Sequence, residues 1–458
     1  MTARKAAKYH PTMLQRHPIT HFLKMTVGRF LLPALLIMLG ACDDDSAIVP
    51  GPRQPARRTV LIYMCAQNSL GWAHYTKSDS MEIMAGRNAI AENDRLLIFI
   101  DDGEAPRLMK VGSKTDQPVV VRRWESDINS ASPETLREVV SWVQKYYPAE
   151  EYGLVMWSHA DGWLPATGTE QPLTDKGTYS FGIDVGPGGN MGNDRDANGG
   201  TGTQMNITDM ATALSESGVH MKYILFDACM MQNVESDYAL RHVTDYIVAA
   251  PMAISVYGAD YTGLLRQGLF SERVEDIVYT YYADVVDPAH SNKYGGYGVV
   301  ISCVRTAGLE ELARTVAEML PRSALAGPNP TPMDTVQHYH PYTSSYYYRP
   351  HQYDLRCTLR QWLSDEDMAR FDAVLSNVVT AKAASPRFWV GPQSWSFYQM
   401  DLQNYCGVAA FVPQATYTNH AAACPFGDLN EAFRQTEWYA ATGWADFEEA
   451  ALSMPTID

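Results

Sequence analysis

The chain has 458 residues, 46% hydrophobic and 19% charged, a balance that fits a globular protein and excludes a disordered one. Its formal charge is −16, and residues 1–41 mask part of the acidity, because they carry Arg4, Lys5, Lys8, Arg16, Lys24 and Arg29 and no acid. Setting those six aside leaves 30 of the 36 basic residues against 52 acidic ones, a net of −22, which argues against nucleic acid as partner because phosphate needs a basic stripe.

Phe30–Leu39 (FLLPALLIML) is a ten-residue apolar run, too short to span a bilayer, and with the basic residues before it reads as a targeting segment. It leads into Leu39-Gly40-Ala41-Cys42, which resembles a bacterial lipobox with Cys42 as the lipid-modified first residue of the mature protein. Met25 would start a leader of more usual length. Asp43-Asp44-Asp45 resembles the acidic export tag of surface lipoproteins, and Ser46–Arg58, with three prolines, reads as a tether. The expected address is the bacterial cell envelope, as a surface-exposed outer-membrane lipoprotein that meets the membrane through its lipid alone. The other cysteines (Cys65, Cys229, Cys303, Cys357, Cys406 and Cys424) show no C-x-x-C spacing, so neither a zinc ribbon nor a thiol–disulfide motif is indicated.

Strands are expected at Thr59–Met64 and Arg95–Ile100, separated by a helix over Ser78–Ala91 with Met81, Ile83 and Met84 inward. Thr115–Trp124 alternates like an edge hairpin. Ser132-Pro133-Glu134 opens a helix, with Ser132 as N-cap and Leu136, Val139, Val140 and Val143 in register. Tyr152–Trp157 is the next strand. Pro165–Gln204 is a long polar, Gly-rich insertion, and Asn206-Ile207-Thr208 opens a helix stopped by Gly218. Further strands are expected at Tyr223–Phe226, Asp245–Ala250, Gly298–Cys303 and Gly407–Pro413. Helices are expected at Val274–Val286, Leu309–Leu320, Asp365–Ala383 and within Glu431–Glu449, while Pro328–Tyr353 looks irregular. Strands alternating with helices predict an α/β fold with a mostly parallel sheet.

Two strand ends carry chemistry. Tyr152–Trp157 runs into Ser158-His159-Ala160-Asp161-Gly162, and Tyr223–Phe226 runs into Asp227-Ala228-Cys229, with Met230 read as the start of a helix. Ligands of open α/β sheets bind outside the carboxyl ends of the strands. A nucleophilic cysteine needs a neighbouring base or a positive field. His159 supplies the base, and a helix starting at Met230 would add about 0.3–1 kcal/mol from its dipole. Taken singly, a cysteine after an apolar strand is commonly packing and a loop histidine is commonly structural; the pairing is what points to catalysis.

This order of strand–His and strand–Asp-Ala-Cys, with the WSHADGW and FDACMM stretches, Asn68-Ser69-Leu70, GVAAFVP and Gly443-Trp444, resembles the clostripain family of cysteine peptidases, within the caspase–gingipain–legumain fold group. The resemblance implies a caspase-like fold and an endopeptidase acting on proteins or peptides. In it Cys229 attacks the scissile carbonyl, His159 transfers the proton, and the backbone N–H groups of Ala160 and Cys229 hold the oxyanion. The family commonly has Gly where this chain has Ala160. Asp227 would lie in a pocket for Arg or Lys before the cut bond, with Asn68 and Asp260 beside it; the loop Pro251–Gly258 carries no acid before Asp260. Lys176 and Arg195 in the insertion are candidate self-cleavage sites. No cofactor is required. Asp194, Asp196 and Asn198 resemble the opening of a calcium loop, although the twelfth position is Met205 where a Glu is needed. The expected organisation is a leader over residues 1–41, a lipidated tether over 42–58, a peptidase core over 59–320, and a C-terminal elaboration packed on it over 321–458, in a monomer. The competing reading is a catalytically quiet surface lipoprotein that binds or adheres.

Overall fold

The computed structural model describes residues 54–166, 180–323, 332–339, 350–389, 397–424 and 426–453. Cys42 and Lys176 lie outside the described residues, as does much of the stretch Pro328–Tyr353.

Strand β1 (Ala56–Cys65) shows why the sheet is central. Leu61, Tyr63 and Cys65 enter one apolar cluster and Val60, Ile62 and Met64 another, and none is more than 4% exposed. A strand buried on both faces is apolar throughout, which explains the continuous run. In chain order follow β2 (Asp94–Asp101), β3 (Arg107–Val111), β4 (Val119–Arg123), β5 (Ala149–Trp157), β6 (Ser180–Asp184), β7 (Thr203–Asn206), β8 (Tyr223–Asp227), β9 (Tyr246–Ala249), β10 (Val300–Arg305), β11 (Tyr353–Asp354) and β12 (Val379–Ala384). The central sheet has nine strands in the order β12-β10-β9-β8-β5-β1-β2-β3-β4. Only β3 and β10 run against the others, so the sheet is mostly parallel, as expected. The insertion contributes a separate hairpin, β6 with β7.

Helices α1 (Ser69–Trp72), α2 (Tyr75–Gly86), α3 (Pro133–Tyr146), α4 (Ile207–Ser217), α5 (Val234–Leu240), α6 (Tyr261–Gln267), α7 (Glu275–Val286), α8 (Leu309–Met319) and α9 (Asp365–Val378) complete the layers. Leu136 and Val139 of α3, Leu214 of α4, Leu312 of α8 and Phe371 of α9 share one face of the sheet; Ile83 of α2, Leu264 of α6 and Ile277 of α7 share the other. The α3 start is as read: Ser132 Oγ accepts from Thr135 N at 3.2 Å, with Pro133 in the first turn.

Three expectations are corrected. Met81 is 61% exposed while Ile83 is buried, because residues two apart on a helix face different sides. The helix expected over Asp365–Ala383 stops at Val378, where the β-branched run Val378-Val379-Thr380 turns into β12 and pairs with β10. Residues after 320 therefore supply a strand of the central sheet itself. Of Gly407–Pro413, only Ala409–Ala410 is strand, paired with β11.

From β1 the chain goes to β2 on one side, and later to β5 on the other. The order reverses between β1 and β5, and open α/β sheets bind ligands outside the carboxyl ends of the strands at such a point.

Candidate active site

Trp157 at the end of β5 lies opposite Asp227 at the end of β8, so the segments carrying His159 and Cys229 leave the sheet side by side. Both residues line one small cavity of about 50 Å³, together with Leu70, Trp157, Asp227 and Ile254–Val256. A wider concavity of about 800 Å³ lies at the opposite edge, around Arg57, Asp94 and Ser271, and neither cysteine nor histidine lines it.

The His159 loop is held from several sides. Ser158 Oγ donates to Cys65 O at 2.6 Å, and Gly182 N donates to His159 O at 2.9 Å. Asp161 N donates to Ser180 O at 3.4 Å, so Ala160 pairs with Phe181 in an antiparallel bridge. In such a pair the intervening residue's own N–H points away from the partner strand. Trp163 is fully buried against Phe411 and Phe433, with ring centroids 4.8 and 6.0 Å away, which ties the loop to the C-terminal part of the chain.

Cys229 is half-buried, and its thiol is pushed up to about 11. Burial is the main cause; Asp161 and Asp227 add repulsion, and the Ile254 N–H opposes them. Burial also lowers the pKa of His159, against the attraction of Asp194, whose Oδ2 lies 3.8 Å from Nε2. The resting pair is thus a neutral thiol beside a neutral imidazole. Alkylation of Cys229 by iodoacetamide is therefore expected to rise steadily with pH toward a midpoint of about 11. A rate plateau around neutrality, read by mass spectrometry of the Cys229 peptide, would contradict this.

The helix expected from Met230 is not there. Met230 is left-handed (φ 59°) and its N–H donates to Met252 O at 2.9 Å. Helix α5 starts at Val234 instead, because Asn233 is the better cap: its Oδ1 accepts from Ser236 N and its Nδ2 donates to Met230 O, each at 2.9 Å. Cys229 therefore gains nothing from a helix dipole.

Asp227 is only 3% exposed and is pushed up to about 6 by burial, with its bonds to Ala259 and Tyr261 opposing. Its oxygens accept from Ala259 N at 3.0 and 3.2 Å, and Oδ2 accepts from the Tyr261 hydroxyl at 2.9 Å. A Cβ on Gly258 (φ +57°) would sit 2.6 Å from Asp227 Oδ2, so only glycine fits that turn.

Asn68 and Asp260, expected beside this pocket, are caps instead. Asn68 is fully buried, accepts from Leu70 N at 3.0 Å and donates to Cys65 O and Ile183 O at 2.9 Å each. Asp260 Oδ1 accepts from Thr262 N at 2.9 Å and Gly263 N at 3.2 Å, starting α6. In each case the acceptor oxygen two residues before the donor is a helix-start signal readable from sequence. Arg195 is exposed, its backbone paired with Asn190 at 2.7 and 3.2 Å.

The Asp194–Asn198 loop closes on the protein's own donors. Asp196 Oδ1 accepts from Asn198 N at 2.8 Å and Gly200 N at 2.9 Å, while the Asp194 carboxylate turns onto Ser69. No group of three His, Cys, Asp or Glu able to hold a metal occurs among the described residues. Ser69, given no role by the sequence, has its Oγ 2.8 Å from His159 Nε2. Its partners are 90 and 125 positions away, and no local pattern announces them.

The family model described as Peptidase_C11, clostripain family, matches residues 62–362. The chain is similar to a secreted C11 cysteine protease from Bacteroides thetaiotaomicron, solved in complex with an irreversible peptide inhibitor, at 25% identity and a TM-score of 0.67, over 85% of this chain and 99% of that one. It is also similar to an inactive zymogen C11 protease from Parabacteroides distasonis, at 28% identity and a TM-score of 0.65, again over 85% and 99%. No curated protein matches the chain.

Proposed function

The chain belongs to the clostripain family of cysteine peptidases, and from that premise we propose that it is an endopeptidase using Cys229 as nucleophile and His159 as proton-transfer partner. The observation that carries this reading is the single cavity lined by both residues, at the ends of adjacent parallel strands. In the first step His159 takes the thiol proton as Sγ attacks the scissile carbonyl carbon. The oxyanion so formed would be met by the backbone N–H groups of Ala160 and Cys229; the pairing of Ala160 with Phe181, which turns the Ala160 N–H away from that strand, supports this role. Collapse breaks the C–N bond, and the leaving amine takes the proton from His159. Water, deprotonated by His159, then attacks the thioester, releasing the carboxylic product and regenerating the thiol. The cysteine and histidine shared by one cavity favour this reading over a quiet binding module.

A preference for Lys or Arg before the cut follows from Asp227. Asp227 is among the residues lining the cavity, and burial raises its pKa, so an incoming cation would supply an opposite charge that favours the carboxylate. The natural substrates are proteins or peptides outside the cytoplasm. Anchoring at the envelope through Cys42 is supported by the apolar run ending in Leu39-Gly40-Ala41-Cys42. Among the described residues no helix is long and apolar enough to cross a membrane. Detergent phase partitioning reads this directly: the wild type is expected in the detergent phase and Cys42→Ser in the aqueous phase, and equal partitioning would contradict it. The test of the catalytic reading is a panel of fluorogenic peptides that differ before the cut. Turnover that needs a reduced thiol is expected, and turnover of none overturns the reading.

A further inference from the structure

Ser69 stands between the reactive histidine and the insertion. Its Oγ is 2.8 Å from His159 Nε2 and 2.9 Å from Asp194 Oδ2, and its backbone N–H donates to Asp194 Oδ1 at 2.6 Å. Asp194 therefore grips Ser69 by both its main chain and its hydroxyl. The hydroxyl has one proton, and a carboxylate only accepts, so that proton points at Asp194. Oγ is left as an acceptor toward the ring. Nε2 must then be the protonated ring nitrogen, and Nδ1 keeps its lone pair.

We propose that Asp194 and Ser69 are positioning residues for His159, holding the imidazole in the tautomer and orientation in which Nδ1 takes and returns the proton of the reaction. The arrangement rests on His159 being the proton-transfer partner argued above. It is built for rigidity. Ser69 opens α1, whose N-cap Asn68 is fully buried. Asp194 is locked in the left-handed region (φ 58°), with its carbonyl accepting from Gly202 N at 3.2 Å. When His159 becomes an imidazolium during attack, the same chain of Nε2–H, Oγ–H and carboxylate faces the new charge. The carboxylate comes from the insertion between the two reactive residues, so that segment is part of the machinery rather than a passive loop.

The test is steady-state kinetics of the full chain on whichever fluorogenic peptide the wild type cleaves. Ser69→Ala is expected to lower kcat by about 10-fold or more while KM stays within about 2-fold, since proton transfer by a positioned group contributes about 10²–10⁴-fold. Ser69→Thr restores the hydroxyl and is expected to restore kcat. Asp194→Asn suits the left-handed backbone but presents N–H groups to Oγ, freeing the hydroxyl proton to turn toward Nε2 and favour the opposite tautomer. Its loss is expected to equal or exceed that of Ser69→Ala, and the double variant to be no worse than the worse single. Wild-type kcat in Ser69→Ala, failure of Thr to rescue with an unchanged melting temperature, or additive losses would each overturn the proposal. Failure of the catalytic reading itself looks different: His159→Ala and Cys229→Ala would then keep their activity. If those two variants are dead and Ser69→Ala is not, only the relay falls.

Discussion

Replacing Cys229 by Ala is expected to lower kcat/KM on any cleaved peptide by about 10⁴-fold or more, toward the uncatalysed background. The size follows from what remains. Two hydroxyls line the cavity: Ser158 is buried and donates to Cys65 O, and Ser255 Oγ accepts from Tyr257 N at 3.3 Å, so each is committed to holding its own loop. Cys65 is fully buried and its thiol is pushed up by that burial. The substitution itself is mild, because Cys229 is half-buried and Ala removes a single atom, at the cost only of the Ile254 N–H contact to the sulfur. Melting temperature is therefore expected to hold while activity disappears. A variant that retains more than a few per cent of wild-type activity would remove Cys229 from the mechanism.

Asp227→Asn is expected to cost about 100-fold in kcat/KM on peptides with Lys or Arg before the cut, and little on peptides with a neutral residue there. Truncating one partner of a buried charge pair costs about 2–5 kcal/mol, and 100-fold is near the low end of that range. Asn keeps the shape of the site. Its oxygen can still accept from Ala259 N, and the Tyr261 hydroxyl can turn to accept from the amide. The pH dependence has a definite sign. Burial raises the Asp227 pKa to about 6, so the carboxylate is charged above that pH and neutral below it. The advantage of basic over neutral peptides should therefore fade as pH falls through about 6 and return on raising it. Equal losses on both peptide classes would make Asp227 a structural acid and not a selector.

The candidate pair could be picked out in the sequence because two local signals coincide with topology. Continuous apolar runs mark strands buried on both faces, and the residues just past such strands fall at the edge where α/β sheets bind ligands. His159 and Cys229 satisfy both conditions, and β5 and β8 prove to be neighbours. Where the sequence misled, a local competitor decided. Asn233 outbids Met230 as a helix cap, and Val378-Val379-Thr380 prefers the extended form that pairs with β10. Asn68 and Asp260 carry the right chemistry for a pocket but use it on the helix starts that follow them. Ser69 and Asp194 lay beyond reach for another reason. Their meeting depends on how the insertion folds back over α1, across 125 positions of chain, and neither residue type is unusual where it stands.

An electrophilic peptide with Lys before the reactive carbon tests the central claim most directly. Bound in the cavity, it brings its carbon to Sγ and needs no resting thiolate. Peptide mapping after incubation at neutral pH is expected to find one adduct, on the fragment carrying Cys229, absent in His159→Ala and suppressed by excess substrate. An enzyme that hydrolyses substrate while Cys229 stays unlabelled, or that carries the adduct on another cysteine, would contradict the assignment of Cys229 as nucleophile.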